Sequence, residues 1–269
     1  GVIMLAAERQ SRILNLLRQR RSARVGDLAQ ELEVSEVTIR RDLDALAREN
    51  LISKVHGGAT LPLPPRTEEP GFEAKRHLHQ IEKEAIALAA KQFIRPGSAI
   101  GLGAGTTTWA LAHLLRDIPD LIVVTNSPSI AEVLAPAPKT TDETVVLTGG
   151  IRTPSDALVG PLAVRALGDF NLDTVFLGAH GMHPDSGFTT PNLLESETNR
   201  AFIAAAARTV VLADHTKWAT PGLARFAAIE TTDVLITDWQ LSESAQNSLS
   251  EALHRTGGQL TVAVPNGEL

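Results

Sequence analysis

The chain has no cysteine, which excludes disulfides, cysteine-ligated zinc and thiol catalysis. It also lacks any apolar run approaching the roughly 20 residues needed to cross a bilayer. The stretch after Met4 turns charged and helical at once, unlike a signal peptide, so the chain is expected in the cytoplasm with no membrane partner. Positive charge is scarce too. Lys and Arg number 25 against 31 Asp and Glu, a net charge of −6, which argues against nucleic-acid binding over the whole surface. What remains is an ordinary globular composition, 43% hydrophobic over 269 residues. That length allows one large domain or two unequal ones.

The charge is unevenly placed. Residues 1–60 carry ten basic and eight acidic side chains, and the rest carries fifteen and twenty-three. A basic head on an acidic body suggests that a polyanion would meet only the head. The clearest boundary is Leu61-Pro-Leu-Pro-Pro-Arg-Thr-Glu-Glu-Pro70, with four prolines in ten residues. Such a segment favours an extended connector over helix or central strand. The expected organisation is therefore a head over 1–60, a linker over 61–71 and an α/β body over 72–269.

Three helices fit the head. The first spans about Ala6 to Arg20, with Ile13, Leu14, Leu16 and Leu17 facing inward. The second carries Leu28, Ala29 and Leu32. The third runs from Ser35, whose hydroxyl suits an N-cap, to about Asn50. On it Val37 or Thr38, Ile39, Leu43 and Leu46 form the inner stripe. Its outer face bears Glu36, Thr38, Arg40 and Arg41 near the start, where a recognition helix reaches base edges. Arginine can fork onto guanine or clamp phosphate. Two short strands then meet near Gly57-Gly58, giving a wing that carries Lys54 and His56. Periodicity alone also allows, as the lesser alternative, a three-helix protein-binding or dimerisation module with solvated arginines.

The body alternates short β-branched runs with amphipathic segments, the pattern of a doubly wound, mainly parallel sheet between two helical layers. Helices are expected over 73–93, 107–115, 129–134, 159–167, 194–208 and 243–254. Strands are expected over 99–103, 121–125, 144–148, 174–178, 209–214, 234–238 and 260–264. Gly103-Ala104-Gly105-Thr106-Thr107-Thr108 lies between strand and helix. There the backbone can approach an anion, and helix amides with threonine hydroxyls can donate to it. It is neither a Walker loop nor a complete dinucleotide fingerprint. Other polar turns end strands at Asn126-Ser127, Gly150 with Arg152, His180, and Asp214 with Lys217. Ligands of open α/β sheets sit beyond the carboxyl ends of strands, so these turns are expected to converge on one site. Lys217 and Arg152 are the expected cationic partners of a phosphate. The block Asp185 to Arg200, with Glu195 and Glu197, reads as a lid or as the exposed start of a helix, and the early acids favour the latter, since carboxylates suit that position. No cofactor and no metal site is read from the sequence.

Val34-Ser-Glu-Val-Thr-Ile-Arg-Arg-Asp-Leu43, followed by His56-Gly-Gly-Ala59, closely resembles the signature of the DeoR-type family of bacterial transcription regulators. The body is similar to that family's sensor domain at Phe72 with Arg76, Lys83, Gly105-Thr-Thr107, Thr125-Asn-Ser127, Leu147-Thr-Gly-Gly150, Leu158-Val-Gly160, Leu212-Ala-Asp214 with Lys217, and Ile236-Thr-Asp238. The resemblance implies a repressor that binds double-stranded operator DNA through Ser35, Thr38, Arg40, Arg41, His56 and Gly57. It implies a self-associating chain, a homodimer or homotetramer, and an isomerase-like sensor domain that takes a phosphorylated sugar, with Arg76 and Lys83 among the site residues. Ribose-5-phosphate isomerases carry carboxylates where this chain has Gly178-Ala-His-Gly-Met182. The missing base at that strand end counts against an isomerase reading.

Overall fold

The computed structural model describes residues 5–63, 65–135 and 144–265. By contacts the chain divides into two units, Gly1–Pro64 and Pro65–Leu269. Residues 65–71, read from the sequence as connector, group with the second unit.

In the first unit, helices span Ala6–Arg20, Val25–Glu31 and Glu36–Arg48. They enclose Ile13, Leu17, Leu28, Ile39, Leu43 and Leu46, all buried. Fully burying each such aliphatic side chain stabilises the fold by about 1.5–3 kcal/mol. Leu14 and Leu16, expected inside with them, are only partly buried. Ser35 caps the third helix, its Oγ accepting from the Thr38 amide at 3.2 Å. Of the alternatives Val37 and Thr38, Val37 is 60% exposed and Thr38 is half-buried, beside the buried Ile39. Three short strands, Ser22–Arg24, Ser53–Val55 and Gly58–Thr60, form an antiparallel sheet with Gly58–Thr60 in the middle. The strand Ser22–Arg24 was not foreseen. Its presence explains Gly58, where a Cβ would lie 2.3 Å from the Ala23 carbonyl oxygen.

One polar contact joins the first and third helices. Asp42 is buried, and its Oδ1 accepts from Arg9 Nη2 at 3.1 Å and Gln10 Nε2 at 3.2 Å, while its Oδ2 takes Arg9 Nε. The Arg-Arg-Asp run thus divides its work. Arg40 and Arg41 face solvent, and Asp42 ties the helix to the rest of the head.

The second unit is built on a seven-stranded parallel sheet. Its order is Gln259–Ala263, Val234–Asp238, Ala206–Leu212, Leu172–Gly178, Ala99–Leu102, Ile122–Thr125 and Thr144–Leu147. Alternate side chains feed two cores. Phe176, Val210, Leu212 and Ile236 pack on one face with Ile86 and Leu111. Val175, Leu177, Val211 and Leu235 pack on the other with Phe202 and Leu249. This two-sided burial is what the near-continuous apolar strands predict.

The expected helix over 73–93 is instead two helices, Phe72–Arg76 and Gln80–Lys91. The break is at His79, in the left-handed region at φ 53°. Lys83 holds the junction, its buried Nζ donating to the Lys75 carbonyl at 2.8 Å. Two further antiparallel pieces were not foreseen. One is a ribbon of Ile151–Arg152 with Leu158–Val159; the other is a sheet of Gly181–His183, Gly187–Thr190 and Ala224–Ala227. The ribbon occupies the first residues of the helix expected over 159–167, which begins at Pro161.

Two outcomes follow. Asp42→Ala should destabilise the head by about 1.5–3 kcal/mol, because it removes a buried carboxylate that takes charge-assisted hydrogen bonds from Arg9 and Gln10. Hydrogen exchange in Ala6–Arg20 and Glu36–Arg48 should rise while exchange in the sheet of the second unit is unchanged; Val37→Ala should leave both unchanged. Burial, reinforced by Lys217 and Lys75 and opposed by Asp214, pushes Lys83 down to about 8 from an ordinary 10.5. Between those values the unfolded chain binds more protons than the folded one, so this group makes stability rise with pH across that window. Denaturant midpoints of Lys83→Met should show a flatter rise there than the native chain.

Candidate functional site

In the head, the third helix presents Glu36, Val37, Arg40 and Arg41 to solvent. Thr38 is half-buried, and its Oγ1 lies 2.9 Å from Ser35 Oγ, so both residues serve the cap. Arg40 pairs with Glu36 at 3.0 Å, one helical turn back, in an exposed contact. Such a pair contributes a few tenths of a kcal/mol and yields readily to a stronger anion. Lys54 pairs with Asp44 in a similarly exposed contact. His56 and Gly57 sit exposed at the tip of the wing. Gly57 has φ 76°, and its carbonyl accepts from the Val25 amide at 2.9 Å.

In the second unit, the sheet has a switch point. Strands step outward in one direction from Ala99–Leu102 to Thr144–Leu147, and in the other from Leu172–Gly178 to Gln259–Ala263. The connections leaving the two central strands therefore part, opening a crevice at their carboxyl ends, where such sheets bind ligands. A cavity is found there. It is lined by Ala104, Gly105, Thr106 and Thr107 from one side, by Gly178, Ala179 and His180 from the other, and by Lys217 from the turn after Ala206–Leu212.

The sequence-predicted residues divide into those that line this cavity and those that hold it. Gly103 is buried, and a Cβ there would lie 2.6 Å from Leu177 Cδ2. Asn126 accepts the Ala104 amide at 2.9 Å and donates to the Leu158 carbonyl at 2.9 Å, so it buttresses the loop. Ser127 caps the helix Pro128–Val133. Thr108 donates to the carbonyls of Gly103 and Gly105 at 2.6 and 3.0 Å. Gly150 packs against the Val159 backbone, where a Cβ would come within 2.7 Å. None of these five is among the lining residues. Arg152, expected as a cation of the site, is exposed and bound to Asp156 at 2.7 Å. Arg76 lies over the Trp109 ring, 5.1 Å from its centroid, and Lys83 is engaged as described; both border a separate groove.

The cavity also contains side chains that sequence reasoning missed. Lys75 lines it from the short helix Phe72–Arg76, and burial together with the Lys217 charge pulls its pKa down. Glu69 and Glu195 line it as well, with Ser155 and Asn199. Glu195 was read as an exposed helix start. It is partly buried instead and lines the cavity, its amide donating to the Asn192 cap at 3.1 Å. The strand end Gly178–Met182 carries no carboxylate, as its sequence has it; the two that line the cavity come from other segments.

His180 is neutral. Burial, then Lys217 and Lys75, push it down to about 4. Its ring bonds the Pro221 backbone. Proline has no amide hydrogen, so the ring must donate to the carbonyl. Its Nε2 is buried without a partner among the described residues, which leaves a bare acceptor. Asp214 is fully buried with Oδ1 accepting from the Thr216 amide at 2.9 Å. Burial acts to raise it, but Lys217 and the Thr216 bonds outweigh that and hold it low.

One group among the described residues has the donor set of a cation site. Asp214, His215 and Asp238 bring ligand atoms within 4.8 Å of one another. Asp238 already accepts the amides of His215 and Gln240 at 2.7 and 2.9 Å, and the His215 ring at 3.0 Å. That hydrogen bond raises the His215 pKa, while Asp214 Oδ2 is buried without a hydrogen-bond partner among the described residues. No described helix is long and apolar enough to cross a membrane.

Comparison with known proteins matches the DeoR-like helix-turn-helix domain over residues 9–64 and the DeoR C terminal sensor domain over residues 78–239. An uncharacterized HTH-type transcriptional regulator of Bacillus subtilis is 33% identical, over 92% of this chain and 95% of that protein. The putative aga operon transcriptional repressor of Escherichia coli O157:H7 is 32% identical over 91% of each chain. The glycerol-3-phosphate regulon repressor of Escherichia coli K12 is 31% identical over 87% of this chain and 92% of that one. Among solved structures, ribose 5-phosphate isomerase from Methanocaldococcus jannaschii overlaps 51% of this chain and 54% of its own, with TM-score 0.37 and 16% identity. The chain belongs to the DeoR family of transcription regulators, which bind DNA and are not enzymes.

Proposed function

We propose that this protein represses carbohydrate-utilisation genes and leaves its operator when a phosphorylated sugar binds the switch-point cavity. The observation that carries the reading is the meeting of Lys75, Lys217 and the Ala104–Thr107 loop in one crevice. Two ammonium groups and the amide end of a loop form an anion site. Relatives named as repressors of the glycerol-3-phosphate regulon and the aga operon support the same class of effector. The protein works in the cytoplasm as a homodimer or homotetramer, since one recognition helix per half-site is the usual geometry of operator reading. Binding of the effector favours a closed cavity, and that state presents paired helices at a spacing the operator does not match.

The test is a mobility-shift assay on the DNA upstream of the protein's own gene, with a panel of sugar phosphates added. Release by one or a few of them is expected; equal retention with every compound would overturn the reading. Arg40→Ala should weaken specific binding by about 1–3 kcal/mol, and unchanged operator affinity would remove this helix as the reader. Lys217→Ala should keep operator affinity and lose the response to effector; a normal response would exclude Lys217 from the site.

A further inference from the structure

The cavity wall carries charges of both signs. On one part of its wall Glu69 and Glu195 share a single hydroxyl: Ser155 Oγ lies 2.9 Å from Glu69 Oε1 and 3.3 Å from Glu195 Oε2. Asn192 Nδ2 fixes the second oxygen of Glu69 at 3.1 Å. The two carboxylates come from segments 126 residues apart in the sequence and meet at the Ser155 hydroxyl. Lys217 stands with the Ala104–Thr107 loop, and Lys75 lies within electrostatic reach of Lys217 and of both glutamates.

We propose that Glu69 and Glu195 restrict this cavity to ligands with one anionic group, polyol monophosphates whose hydroxyls meet the carboxylates, and exclude sugar-acid phosphates and bisphosphates. The inference rests on the phosphosugar reading above and adds a rule of selection to it. The phosphate takes the lysines, which are the cationic part of the wall. The far end of the ligand then faces two carboxylates. A sugar hydroxyl donates to such a group at no electrostatic cost, whereas a second carboxylate or phosphate there would be a like charge against two partly buried carboxylates. Burial, with Glu69 adding to it and Lys75 opposing it, holds Glu195 above the usual carboxylate range. His180 agrees with this division, because its bare Nε2 can accept from a hydroxyl and has nothing to offer an ionised phosphate.

Matched pairs test the rule on the full-length protein by calorimetric titration: glycerol 3-phosphate against 3-phosphoglycerate, ribose 5-phosphate against 5-phosphoribonate, and glucose 6-phosphate against 6-phosphogluconate. Each pair differs by an added carboxylate. Wherever a pair binds, the neutral-ended member should bind at least about tenfold tighter, the least that a like-charge contact costs. Glu195→Gln and Glu69→Gln should shrink that ratio toward one while moving the monophosphate's own affinity less. Gln keeps the shape of Glu, and the melting temperatures of the ligand-free variants check that they fold. An acid member that binds as tightly as its partner, or a ratio unchanged in both variants, overturns the proposal. If neither these compounds nor inorganic phosphate bind the native protein, the phosphosugar reading fails instead, and the selection rule falls with it.

Discussion

The parting of the chain between the strands Ala99–Leu102 and Leu172–Gly178 is the constraint on which the second unit depends. Parallel neighbours whose connections leave in opposite directions cannot close over their own carboxyl ends, and the gap must be filled by turns. Much of the chemistry named here follows from which turns fill it. The Gly105–Thr107 turn brings amides, the turn after Ala206–Leu212 brings Lys217, and the turn after Leu172–Gly178 brings a histidine that burial keeps neutral. The rest of the wall comes from segments outside the sheet, Glu69 and Lys75 ahead of its first strand and Ser155 in the small ribbon.

A second constraint organises the head. Asp42 is the buried acid of a helix that otherwise shows charge to solvent, and its bonds to Arg9 and Gln10 fix that helix against the first. A recognition helix must be rigid in its mounting to read DNA in register. Burying one partnered carboxylate among apolar contacts fixes direction in a way that Leu43 and Leu46 alone do not, because apolar packing is non-directional. The neighbouring arginines remain at the surface in weak or solvated contacts, which leaves them available to a stronger anion.

The sheet, its helical layers and the three-helix head were legible because period and side-chain type decide them. The Ser35 cap and the exposed Arg40 and Arg41 follow from helical spacing alone. Which of Val37 and Thr38 turns inward did not follow, because two adjacent residues compete for one position, and it is Thr38 that is half-buried. The cavity was legible at its loops and not at its far wall. Asn126 looked like a ligand residue, yet spends its amide on the Ala104 amide and the Leu158 carbonyl, a choice set by long-range geometry that composition does not carry. Lys75 was hidden by a helix read as continuous, since nothing local announces the turn at His79. Glu69 was hidden by a proline-rich segment read as mere connector. The hairpin Gly181–Thr190 carried a turn signal in Pro184-Asp185-Ser186-Gly187, but its strands are too short for periodicity to register.

The account's central claim is that the cavity and the recognition helices answer to one equilibrium. Linkage makes this testable in the direction opposite to induction: if the effector weakens operator binding, the operator must weaken effector binding by the same factor. The decisive measurement is the sugar-phosphate affinity of the full-length protein, free and saturated with operator DNA. The account predicts weaker binding in the DNA complex, by the factor seen in the reciprocal experiment. Identical affinity in the two states would contradict it.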